Sequence, residues 1–109
     1  MNFYRLYTGP EGQSHFEKFA ADESAKIFDT LHAVKALVFR KAHRPHILDW
    51  HPAPRRQWVI TLSGSVEIGV GDGSSMTFGP GDVFLAEDVT GQGHIANPKD
   101  WIRAFIHLD

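Results

Sequence analysis

Breaks built on glycine, proline and aspartate recur about every 8–12 residues through most of this chain, leaving room between them for little beyond short strands. Asp72-Gly73 reads as a two-residue hairpin turn of the kind that needs positive φ. Gly79-Pro80-Gly81-Asp82 reads as a second turn, and Gly64 as a joint between two runs. The segments between these breaks are rich in β-branched and aromatic residues. They are Ala33 to Lys41, Gln57 to Ser63, Ser65 to Val70, Met76 to Phe78, Val83 to Glu87 and Trp101 to Leu108. Only Ala21 to Leu31 offers a short helix, and Asp22, Ser24 and Asp29 suit a loop there equally well. Short strands at this spacing predict an all-β sandwich or barrel.

With 109 residues the chain can build one core, so residues 1–109 are read as a single domain. Its formal charge of -2 and scattered basic residues, Arg55-Arg56 apart, give no stripe for nucleic acid. No apolar run approaches the ~20 residues a bilayer crossing needs. The opening MNFYRLYTG has no signal-type apolar block, and the chain has no cysteine for disulfides. A cytoplasmic protein, bound to neither nucleic acid nor membrane, is the expectation.

One strand is apolar on both faces. Gln57, Val59 and Thr61 share one side, expected to point inward, while Trp58, Ile60 and Leu62 occupy the other. In a small single domain the outer face would normally meet water. A second copy in a homodimer, or the N-terminal segment with Phe3 to Tyr7, Phe16 and Phe19, would cover it.

Two blocks carry the chemistry. WHPAPRRQWVITLSG, from Trp50 to Gly64, reads His-x-Ala-x3-Gln-x6-Gly from His51; FGPGDVFLAEDVTGQGH, from Phe78, ends on His94. The turn and strand spacing of these blocks resembles the cupin family from roughly Val34 to Leu108. That resemblance implies a jelly-roll β-barrel, with residues 33–109 as its core and 1–32 as N-terminal strands or an arm. Family positions for a first histidine, a glutamate and a block-two histidine fall on His51, Gln57 and His94. The second histidine position falls on Ala53. The second block differs too: Glu87 to Gly93 replaces the usual Pro-x-Gly turn, and Pro98 stands at the asparagine position.

The resemblance therefore implies a divalent metal ion (Zn, Fe, Ni or Mn) on His51, Gln57 and His94, without a negatively charged ligand unless Glu87 or Asp88 turns inward. His51 and Gln57 are expected on adjacent strands, and the glycines of Gly91-Gln92-Gly93 are expected to let the backbones approach closely. The plainer alternatives are a hydrogen-bonded interior histidine at either position and a Gln57 that bonds His51 or a carbonyl. Arg55 and Arg56 are candidates to clamp a substrate carboxylate, or else solvated loop residues. Trp50 is a candidate pocket wall, whereas Trp58 and Trp101 suit core and interface. His15, His32, His43 and His46 are expected at the surface, with His107 facing either way. Two functions follow from the resemblance: a metal-dependent enzyme acting on a small organic metabolite by oxygenation, isomerisation, dehydration or decarboxylation, or a non-catalytic small-molecule binder; a purely structural dimeric domain is the third alternative.

Overall fold

A computed structural model describes residues 2–41 and 48–109; the loop expected around His43 and His46 lies outside them. The strands are β1 (Phe3–Thr8), β2 (Ser14–Lys18), β3 (Ala36–Arg40), β4 (Leu48–His51), β5 (Gln57–Gly69), β6 (Ser75–Phe78), β7 (Val83–Ala86) and β8 (His94–His107). A single turn and a half of helix, α1 (Ala21–Ala25), is the short helical alternative at that point. The fold is all-β. Its sheet is mixed, because β1 runs parallel to β7 while the other pairs are antiparallel. The hydrogen-bonded path β2-β1-β7-β5-β8-β3, with β6 on β5 and β4 on β8, does not close on itself among the described residues.

The two long strands, β5 and β8, lie side by side and bend together. In β5 the bend is at Gly64, which adopts φ +69°; a β-carbon there would collide with the Asp100 carbonyl of β8. Asp100 itself sits at φ +48°, and the pairing register slips on either side of Ser63. The slip changes which residues face inward. Before the bend the buried residues of β5 are Gln57, Val59 and Thr61; after it they are Val66 and Ile68. In β8 the inward pair His94 and Ala96 gives way to Trp101, with Arg103, Phe105 and His107 lining a cavity. A β-bulge is what allows one continuous strand to keep an apolar inner face on both sides of such a bend. The sheet forks there: β7 and β3 flank one half of the β5–β8 ribbon, and β6 and β4 flank the other. Val59, Phe84 and Trp101 from one half pack with Val66, Ile68 and Phe78 from the other.

Both turns fall where the sequence puts them, but one differs in type. Pro80 and Gly81 form a turn closed by Asp82 N–H to Gly79 O at 3.0 Å, with Gly81 at φ +88°. The Asp72-Gly73 turn is not a two-residue primed turn. Gly73 N–H bonds back to Val70 O at 3.1 Å, and only Gly73 has positive φ, at +91°. The Asp72 carboxylate instead accepts from Ser74 N–H at 2.8 Å, and these hydrogen bonds with Ser74 hold the Asp72 carboxyl below its ordinary value.

The outer face of β5 is covered in part by the N-terminal segment. Phe3 and Phe19 pack on Trp58 with ring centroids 6.2 and 6.1 Å away. An apolar groove of about 270 Å³ remains between Phe3, Ile27, Trp58, Val83 and Ile106. Leu62, beyond the reach of that cover, is 47% exposed.

Candidate functional site

His51 and His94 come together because β4 and β8 pair them directly, Cα to Cα partner. The approach depends on Gly93, at φ +78°: a β-carbon there would meet the His51 carbonyl and the Pro52 nitrogen. The two ring centroids are 4.8 Å apart. Each ring is anchored through Nδ1. That of His51 donates to the Asp49 carbonyl at 2.7 Å, and that of His94 to the Asp88 carboxylate at 2.6 Å. A carbonyl can only accept, so His51 carries a proton on Nδ1, and Nε2 is the nitrogen that bears the lone pair in the neutral ring. The Asp88 carboxylate orients His94 in the same way, an arrangement typical of imidazoles that serve as metal ligands.

Asp88 is wholly buried. Its Oδ2 also accepts from Ser14 Oγ at 2.8 Å, while Oδ1 is buried without a hydrogen bond among the described residues. Ser14 belongs to β2, so the N-terminal segment reaches the site through this bond. Nothing in the spacing of Ser14 announces that role. Asp88 thus stands behind His94 rather than beside His51, and Glu87 pairs with Arg5 at 2.9 Å. Asp88 meets only the Nδ1 side of His94, and neither carboxylate hydrogen-bonds His51 among the described residues. Among the described residues no group of three or more His, Cys, Asp or Glu side chains converges.

Both imidazoles line a cavity of about 430 Å³ between the halves of the bent sheet. Val59, Ile68, Phe84, Trp101 and Phe105 supply its apolar walls, and Gln57 opens into it. The Gln57 side chain is 7% exposed and its amide makes no hydrogen bond among the described residues. Gln57 and His51 do not lie on adjacent strands, as expected from the sequence. Strand β8 separates β4 from β5, and Gln57 pairs with His107 at the far end of β8. The bend is what returns them to one cavity.

The other candidates divide. Arg55 lines the cavity, with its Nη1 3.3 Å from His107 Nε2. A guanidinium only donates, so that nitrogen accepts and the ring holds its proton on Nδ1. Arg56 is exposed and turns away, toward Asp109 at 3.5 Å and Glu87 at 3.7 Å. Trp50 is exposed and does not line the cavity, because on β4 it faces opposite to His51. His15 pairs with Glu11, and the exposed His32 donates from Nε2 to the Ile27 carbonyl at 2.8 Å.

Arg40, Arg103 and His107 complete the cavity. Arg103 donates from Nη1 to the Trp101 carbonyl at 2.8 Å and stacks over the Trp101 ring at 4.4 Å. Burial lowers its pKa, and the neighbouring Arg40 charge lowers it further. The alternation of Arg103, Phe105 and His107 against Ile102, Ala104 and Ile106 is visible in the sequence, but with apolar residues on both faces it does not say which set turns inward. Set against known proteins, the chain matches no family model, no curated protein and no solved structure.

Proposed function

We propose that this is a small cupin-type jelly-roll domain whose cavity takes a small organic metabolite beside a divalent metal ion. The supporting observation is the pair of imidazoles 4.8 Å apart, each held through Nδ1 so that Nε2 is the nitrogen left for a ligand. His51 and His94 would hold the ion, with the carbonyl oxygen of the Gln57 amide as a third donor. Two neutral nitrogens and an amide oxygen fit Zn, Fe, Ni or Mn, with positions open for water or substrate. The ion would supply Lewis acidity to a metabolite in the cavity. Oxygenation, isomerisation, dehydration and decarboxylation are all compatible with such a site.

A second reading, a non-catalytic binder of the same kind of molecule, is favoured by Ala53 and Gln57, which leave the donor set without a third imidazole or a negative charge. Metal analysis of protein purified without a histidine tag separates the two. The expected result is one divalent ion per chain, lost in His51→Ala and in His94→Ala but kept in His15→Ala and His32→Ala. Protons compete for the same nitrogens, so uptake should also fall as pH is lowered. Metal-free wild-type protein that takes up no added Zn, Fe, Ni or Mn would leave the binding reading.

We also propose that the domain works as a homodimer, in the cytoplasm. The outward side of β3, with Leu37 54% and Phe39 66% exposed, continues the apolar face of Ile106 and Trp58 in register across the sheet. Burying such a face stabilises association by about 25 cal/mol per Å² of apolar area. Light scattering at micromolar concentration should give twice the chain mass, and Phe39→Glu should halve it. A monomer mass for the wild type removes this proposal.

A further inference from the structure

The cavity has a charge pattern that the chain as a whole does not. The protein carries a formal charge of -2, yet Arg40, Arg55 and Arg103 open into the cavity beside three imidazoles, and none of its described lining residues is acidic. Residues 42–47, AHRPHI, contribute no acidic residue to the sequence either. Clustering one sign of charge in an apolar cleft raises the local concentration of the opposite ion.

Two of these arginines are set against each other. Arg40 and Arg103 are direct cross-strand partners on β3 and β8, and both line the cavity. Like charges opposite one another weaken a sheet, and burial of Arg103 sharpens the cost. Arg103 is also fixed in orientation by the Trp101 carbonyl and ring, so its fork is presented in one plane.

From this arrangement we infer that the substrate or ligand of the cavity is a small organic carboxylate, its charged end held by Arg40 and Arg103 and its apolar body against Val59, Phe84 and Phe105. The inference rests on the reading of the cavity as a small-molecule site, but not on the metal. Planar guanidinium forks match a carboxylate bidentately, and the predominantly apolar wall suits a hydrocarbon or aromatic body rather than inorganic phosphate.

The test is titration calorimetry on the untagged chain in chelator, with benzoate, phenylacetate and isovalerate as probes and with benzamide and inorganic phosphate as controls. At least one carboxylate should bind, weakening as salt rises, while benzamide and phosphate do not. Arg40→Met and Arg103→Met should each reduce that affinity at least tenfold, and Arg103→Lys, which keeps the charge but loses the fork, should reduce it less. The exposed Lys18→Met should change nothing. Because the titration is run in chelator, carboxylate binding should be seen with no metal present, which separates this inference from the metal reading. The inference is overturned if no carboxylate binds in chelator, if phosphate binds as well as the best of them, or if Arg40→Met and Arg103→Met leave affinity unchanged.

Discussion

Asp88→Ala should lower the stability of the domain by about 2–4 kcal/mol, read as a shift of the urea unfolding midpoint. The wild-type carboxylate accepts from two groups at once, His94 Nδ1 and Ser14 Oγ, inside a fully buried setting. Removing it leaves a buried imidazole N–H and a buried hydroxyl to find other partners, at about 1–3 kcal/mol for each group that fails. Relief of the orphaned Oδ1 offsets part of that loss, which is why the expected figure falls below the simple total. Ser14→Ala removes one donor and keeps the carboxylate, so it should cost only about 1 kcal/mol. Equal midpoints for Asp88→Ala and wild type would show that the Asp88–Ser14–His94 network does not hold the fold.

Gly93→Ala should be nearly as costly and should also take the site apart. Its effect has two sources. The first is the left-handed backbone at φ +78°, which costs an L residue about 1–2 kcal/mol. The second is collision with the His51 carbonyl and Pro52 nitrogen, backbone atoms that can yield only if β4 moves off β8. Gly73→Ala isolates the first source: its φ is +91°, yet a β-carbon there would meet nothing within 4 Å. The expected pattern is a loss of ~1 kcal/mol for Gly73→Ala and at least ~2 kcal/mol for Gly93→Ala, with metal uptake impaired only in the second. Identical losses in the two variants would mean that β4 does not pack against β8 as closely as described.

These residues also mark how far the sequence could be read. The turns at Gly79 to Asp82 and around Gly73, the joint at Gly64 and the inward set Gln57, Val59 and Thr61 follow from local rules: proline and glycine set backbone angles, and strand alternation sets faces. The meeting of His51 and His94 was expected from the cupin resemblance, with the glycines before His94 allowing the backbones to approach closely. Strand order was not, since local pattern says nothing of which strand lies between β4 and β5. The first half of β8 escaped notice because Asn97, Pro98 and Asp100 read as loop, whereas the bulge opposite Gly64 carries them within one continuous strand. Arg40 and Arg103 were missed for a different reason. Polar residues turned into a cavity and apolar ones turned outward reverse the usual alternation, and that reversal is a property of the site rather than of strand formation.

The central position of β8 bears on how the protein is made. A ribosome delivers the chain in order, and β3, β4 and β5 all emerge before the strand that lies between them. Among the described pairings, β3 and β4 have β8 as their sole partner. Until it arrives, they are unpaired edges, with Leu37 and Phe39 on one of them, and the nascent polypeptide has only the β2-β1-β7-β5 part of the sheet, with β6 on β5, available. Native-like structure around His51 therefore has to wait for the synthesis of His94 to His107. In that interval the growing chain is a natural client for chaperones that shield exposed strands.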